Sequence, residues 1–221
     1  KNAVAETAFF ILKDDNILLR WFTPEIEMDL CGHATLATAH CLNSILNHPN
    51  KSIRFETKSG EITVYFKDDK YHMDFPTRIP LKSDLPKLIS KSLNLKPLEV
   101  YKSRDYLLIY DSEEDIKKIK INTNYFNQIN LDPGGVVVTA KGTNSDFVSR
   151  YFTPQSTILE DPATGSSHCS LIPFWSKRLN KNHLSSVQLS KRIGEFECIN
   201  HSKRVTVIGS AVNYSKTTIT I

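Results

Sequence analysis

Apolar residues recur at every second position through long stretches of this chain. Residues 7–12 and 17–22 are instead near-continuous apolar runs, separated by the turn-forming cluster Lys13-Asp14-Asp15-Asn16, and they predict a hairpin that the alternating stretches follow. Residues 52–57, 61–67 and 71–75 carry the alternation, punctuated by Ser59-Gly60 and Asp68-Asp69. In the middle run Ile62, Val64 and Phe66 share one face. Further strands are expected at 99–101, 106–110, 135–140 and 146–152, then at 187–189, 195–199, 204–208 and 217–221. Two stretches break the alternation. Residues 33–47 carry Leu36, Ala39, Ile45 and Leu46 among good helix formers, and residues 166–179 carry Leu171, Ile172, Phe174, Trp175 and Leu179. Both read as apolar, buried helices, the second with Pro173 inside it and an expected kink there. Shorter helical patterns lie at 84–93 and 113–118.

This arrangement predicts an α+β protein: two pseudo-symmetric domains, each a mostly antiparallel sheet curled around one central helix. A stretch rich in Pro and Lys at 76–86 suggests the junction. The expected halves are 1–93 and 94–221, with the last strand able to cross back. A repeated phrase supports the pairing of halves. Arg20-Trp21-Phe22-Thr23-Pro24 returns 130 positions later as Arg150-Tyr151-Phe152-Thr153-Pro154. Each copy leads into a turn of small residues, Cys31-Gly32-His33-Ala34-Thr35 or Asp161-Pro162-Ala163-Thr164-Gly165-Ser166, and then a His-Cys pair, His40-Cys41 or His168-Cys169. The period is too long for a solenoid. Two turns meeting across a cleft would build one site from two helix starts, where free amides and the positive dipole end favour an anion.

Composition narrows the partners. The chain has 221 residues, 28 Lys+Arg against 24 Asp+Glu, and a net charge of +4 without a basic run, which argues against nucleic acid. No apolar run is long enough to cross a bilayer, so no membrane partner is expected. The cysteines Cys31, Cys41, Cys169 and Cys198 form no Cys-x-x-Cys pair. Free thiols in a reducing, cytoplasmic setting are the simplest expectation. His33, His40 and His168 lack the i, i+4 spacing of a helical metal pair, so no metal is expected.

The candidate chemistry lies in the two turns and in Glu6. Asp161 and Ser166 could be helix caps only, His33 a satisfied structural histidine, and Cys31 a buried apolar residue. Glu6 interrupts the run from Ala3 to Phe10; it could be an edge or turn carboxylate only, or a partly buried acid with a raised pKa, able to give and take a proton near neutrality.

At these residues the chain resembles the PhzF (phenazine biosynthesis-like) family. The matching phrases are Glu6-Thr7-Ala8-Phe9, Arg20-Trp21-Phe22-Thr23-Pro24, Cys31-Gly32-His33-Ala34-Thr35-Leu36-Ala37, the run from Phe147 to Pro154, and Glu160-Asp161-Pro162-Ala163-Thr164-Gly165-Ser166. The resemblance implies a diaminopimelate epimerase-like fold, a homodimer, no cofactor, and a site in the cleft. It implies that Glu6 shuttles a proton, that His33 works with Asp161, and that Gly32, Gly165 and Ser166 hold a substrate carboxylate. The family normally begins with a strand and a Gly-Asn-Pro segment before this glutamate. Neither is present, so the chain reads as truncated at its start. Cys31 stands where the epimerase relatives carry a catalytic thiol.

The function expected is a cofactor-independent isomerase that moves a proton on a small anionic carboxylate. The alternatives are a racemase or epimerase using Cys31, and a non-catalytic metabolite-binding protein of the same fold.

Overall fold

A computed structural model of the chain describes residues 6–13, 16–24, 26–131, 134–154, 156 and 158–218. The first half of the chain forms β1 (Thr7–Lys13), β2 (Asn16–Phe22), β3 (Glu27–Met28), α1 (Gly32–Ser44), β4 (Ser52–Thr57), β5 (Gly60–Lys67) and β6 (Lys70–Pro76). A connecting stretch follows: β7 (Leu81–Lys82), α2 (Lys87–Ser92), β8 (Glu99–Lys102), β9 (Tyr106–Ile109), α3 (Glu113–Lys118) and α4 (Thr123–Phe126). The second half forms β10 (Val136–Lys141), β11 (Phe147–Phe152), β12 (Glu160–Asp161), α5 (His168–Leu179), β13 (His183–Gln188), β14 (Gly194–Asn200) and β15 (Arg204–Gly209).

The topology repeats. In the first half the strand order is β1-β2-β4-β5-β6, with β2–β4 parallel and β3 paired to β2. In the second it is β10-β11-β13-β14-β15, with β11–β13 parallel and β12 paired to β11. The remaining pairs within these two orders are antiparallel. The two orders join where β15 pairs with β6, Val205 opposite Phe75. Strands β9, β8 and β7 extend the sheet beyond β10. Each half thus curls a sheet around its own helix: α1 packs on β1 and β6, and α5 on β13, β14 and β15.

The fold follows from the sequence pattern. Ile62, Val64, Met73 and Phe75 lie buried on the inner face with Trp21, Phe55, Phe147, Trp175 and Val205, and this core is shared by both halves. A second core, holding Leu108, Phe126, Val136, Val138 and Phe152, lies under α2, α3 and α4. Asp68 and Asp69 both take positive φ, 51° and 59°, which closes the β5–β6 hairpin in the turn its strand twist needs. Ser112 and Asp115 form a reciprocal capping box at the start of α3.

Several sequence expectations shift. The helix expected from residue 166 begins at His168, after a turn over Gly165, Ser166 and Ser167. The strand expected at 187–189 starts four residues earlier, at His183. No strand forms at 217–218, and 219–221 lie outside the described residues, as do Asp14 and Asp15 of the first turn. Helix α5 continues through Pro173. Proline has no amide hydrogen, so the carbonyl of Cys169, four residues earlier, loses its helical partner. The backbone amide of Arg78, just past β6, donates to that carbonyl at 2.9 Å.

Candidate functional site

The repeated phrase builds the same frame twice. Across β2 and β3, Trp21 faces Met28 and Phe22 faces Glu27. Across β11 and β12, Tyr151 faces Asp161 and Phe152 faces Glu160. Arg20 pairs with Glu27, and Arg150 with Glu160 through its Nε at 2.7 Å. From each short strand the chain then takes the same number of steps to a glycine, Gly32 or Gly165. In this register Met28 corresponds to Asp161, Cys31 to Thr164, His33 to Ser166 and Thr35 to His168. The two His-Cys pairs therefore do not correspond: His40 matches Pro173. That part of the apparent repeat is coincidental.

The two glycines touch. A Cβ added to Gly32 would stand 2.7 Å from the Cα of Gly165, and one added to Gly165 would stand 2.9 Å from the Cα of Gly32. Only glycine at both positions allows backbones to approach so closely. Neither helix start is neutralised. Cys31 and Ser167, at the N-cap positions, make no side-chain cap, and neither first turn holds an acidic residue. Among the described residues no hydrogen bond takes up the amides of Gly165, Ser166 and Ser167. Two positive dipole ends with unpaired donors face one place.

Glu6, just before β1, lies beside this place. Its Oε2 approaches His33 Nε2 at 2.9 Å, off the direction of the ring N–H, so the contact is an ion pair and Oε2 has no aligned hydrogen-bond partner. Cys31 Sγ lies 3.7 Å from His33 Nε2 and 3.8 Å from Nδ1. Burial pulls the His33 pKa down, but Cys31 and then Glu6 outweigh it, and the net shift is upward to about 11. His33 retains 40% of its side-chain exposure, so solvent screens the pair. Burial pushes the Cys31 thiol up.

Asp161 is held from within its own turn. Thr164 Oγ1 donates to Oδ2 at 2.6 Å, and the amide of Ala163 approaches Oδ1 at 3.3 Å. It caps no helix. Burial raises its pKa, Thr164 and the charge of His33 oppose this, and the charge of Glu6 adds to it. The three acid–base candidates from the sequence therefore sense one another. Fully buried Gln188 fixes the turn, accepting from the Thr164 amide at 2.8 Å and donating to the Asp161 carbonyl at 2.6 Å.

Ser166 caps nothing either. Its Oγ accepts from Arg104 Nη2 at 3.0 Å, which leaves its own hydroxyl hydrogen to donate. Arg104 was not singled out by the sequence, yet it ties the two halves together. It bonds Asp105 through Nε and Nη2, and Asp29, two residues before Cys31, through Nη1 at 3.0 Å. Arg78 reaches the other oxygen of Asp29 at 2.7 Å. Tyr151 and the amide of Gly135 complete Asp105. In the sequence Arg104-Asp105 sits in the polar turn Lys102-Ser103-Arg104-Asp105 and reads as an ordinary strand connection.

The other candidates are committed elsewhere. His168 is fully buried, with Nδ1 2.9 Å from the carbonyl of Thr164 and Nε2 2.9 Å from Ser186 Oγ. A carbonyl only accepts, so Nδ1 carries the hydrogen, and burial lowers the pKa to about 4. His40 contacts Tyr71 at 3.0 Å. Burial pushes the thiols of Cys169 and Cys198 up to about 11 and about 12.

Comparison with known proteins bears on this arrangement. The family model described as phenazine biosynthesis-like protein, PhzC-PhzF, matches residues 2–217. An uncharacterized isomerase of Pseudomonas aeruginosa is 41% identical over 219 residues, which cover 99% of this chain and 84% of the relative. The crystal structure of a PhzF-family phenazine biosynthesis protein from Enterococcus faecalis superposes with a TM-score of 0.87 at 40% identity, covering 97% of this chain and 82% of that one. A probable proline racemase from Agrobacterium radiobacter, 11% identical, matches with a TM-score of 0.59 over 92% of this chain and 71% of its own, a likeness of fold alone. Among the described residues no helix is long and apolar enough to cross a membrane.

Proposed function

This chain belongs to the phenazine biosynthesis-like (PhzC-PhzF) family and is an isomerase, and from that premise we propose that it moves a proton within a small carboxylate through Glu6, without a cofactor. The observation that carries this reading is the backbone contact of Gly32 with Gly165, which sets two uncapped helix starts together beside Glu6. Their amides and the Ser166 hydroxyl would hold the anionic group. Enolate-like charge that develops as the proton leaves would meet the same donors. His33, held cationic by its neighbours, would steady the Glu6 carboxylate and a substrate oxygen. Asp161 would hold a polar group on the far side. One carboxyl suffices to lift a proton from one carbon and return it to another on the same face.

A thiol-based epimerase finds less support. Thr164, not a second cysteine, occupies the position that matches Cys31, and a buried thiol with a raised pKa is a poor base. Assembly as a homodimer, with the cleft between residues 1–93 and 94–221, completes the proposal.

The test is a panel of small unsaturated and hydroxylated carboxylates incubated with the protein in D2O and read by NMR. A substrate turned over by the wild type should gain deuterium at the carbon that receives the proton. Glu6→Gln should lower that rate by about 10²–10⁴-fold. Exchange and turnover that persist in the variant reject Glu6 as the carrier.

A further inference from the structure

We propose that Glu6, Cys31 and His33 form a binding site for one thiophilic divalent cation of the zinc type. A carboxylate oxygen, a thiol sulfur and an imidazole nitrogen lie within 4.8 Å of one another here. Zinc bonds of about 2.0–2.3 Å place the donors of a tetrahedral site about 3.3–3.7 Å apart. His33 Nε2 is 2.9 Å from Glu6 Oε2 and 3.7 Å from Cys31 Sγ. An ion can therefore enter with small side-chain shifts. Because Sγ is nearly equidistant from both ring nitrogens, rotation of the imidazole brings either one to the ion.

Charge and donor type agree with this size. A thiolate and a carboxylate together balance two positive charges. The ion must displace the protons of the Cys31 thiol and the His33 imidazolium, so binding releases protons to solvent and strengthens as pH rises. One sulfur, one nitrogen and one oxygen select a borderline-soft metal over magnesium or calcium, which take oxygen donors. Three protein ligands leave a fourth position, facing the place where Gly32 meets Gly165, for water or a substrate oxygen. This set lacks the spacing of a helical histidine pair. Cys31 and His33 are two residues apart at a helix start, and Glu6 comes from the far side of β1 and β2.

The site stands apart from the proton-carrier reading. If Glu6 does carry the proton, an ion bound here would immobilise it and arrest turnover. Binding is measured without turnover, so either proposal can fail alone.

The experiment titrates the full chain with Co2+ under anaerobic conditions and follows absorption. One equivalent should produce a thiolate-to-cobalt charge-transfer band in the near ultraviolet together with tetrahedral d–d bands. Zn2+ should displace both. Cys31→Ser should lose the charge-transfer band, and Cys41→Ser, which alters the half-exposed thiol of α1, should keep it. A second arm uses His33→Gln, which should retain a cooperative melt and bind Co2+ at least about tenfold more weakly. The proposal is overturned by absence of the thiolate band in the wild type, by its survival in Cys31→Ser, or by unchanged affinity in His33→Gln.

Discussion

At the start of α1, Thr35 donates its hydroxyl to the carbonyl of Cys31 at 2.6 Å. At the matching point of α5, His168 turns its imidazole to the carbonyl of Thr164 at 2.9 Å. Both side chains hold the backbone four residues back, so the two helix starts present the same bare amides to the same place. Around that frame the polar residues diverge. The first start carries a thiol and a partly exposed, cationic histidine against Glu6. The second carries a buried aspartate, a serine braced by Arg104, and a neutral, enclosed histidine. A duplicated scaffold sets Glu6, the proposed proton carrier, against one helix start and fixed donors at the other. The symmetry supplies geometry, and the departures from it supply the chemistry.

The strongest way to break this comparison is to cut the brace of the second start. Arg104→Met leaves Asp105 buried without its cation, frees Ser166, and leaves Asp29 paired with Arg78 alone. Urea unfolding should register a loss of about 3–5 kcal/mol. A loss below about 1 kcal/mol would mean that the network does not hold the two halves.

Next is pH, because the two histidines shift in opposite directions. His168 folds with its pKa lowered to about 4 from an unfolded value of 6.5. Its unfolded form takes up a proton first, so stability present above pH 6.5 falls as pH drops toward 4, by about 3 kcal/mol. Asp161, whose raised pKa makes the folded state take up a proton first, offsets part of this acid loss. His33 behaves the other way: its contribution is complete below pH 6.5 and is lost as pH rises through about 11. Denaturation midpoints across pH should show both limbs. His168→Asn should flatten the acid limb and leave the alkaline one, and a variant that keeps the acid slope would assign it to another group.

The smallest effect concerns the contact itself. Gly32→Ala and Gly165→Ala should each cost about 1–3 kcal/mol, because each Cβ meets backbone rather than a movable side chain. The double variant should cost clearly more than one of them and less than their sum, since both push the same two segments apart. Strict additivity in thermal or urea unfolding would mean that the segments do not share one contact.

Much of this was legible in the sequence. Period-two alternation located strands such as β4 and β6, which bury one face, whereas β9, β10 and β11 are buried on both faces and were legible as continuous apolar runs. The Arg-x-Phe-Thr-Pro phrase marked the duplicated frame because both copies make the same strand, turn and short strand. Gly32 and Gly165 stood out because small residues before an apolar helix are unusual. What the sequence hid depends on distance in space. Arg104 and Asp29 are far apart in the chain and have no periodic mark. The register that pairs Thr35 with His168 is masked by a longer loop in the second copy. Two-residue strands such as β3, β7 and β12 leave no pattern at all.

Pro173 carries a further consequence. A helix without it could complete its hydrogen bonds alone. With it, the carbonyl of Cys169 lacks a partner within α5, and the amide of Arg78, just past β6 of the first half, donates to it. The side chain of the same residue reaches Asp29, just ahead of α1. One amino acid thus couples the completion of the second helix to the approach to the first. The segment after β6 is thereby tied to the first turn of α5 by its backbone and to the approach to α1 by its side chain, so a change at Arg78 reaches both helix starts at once.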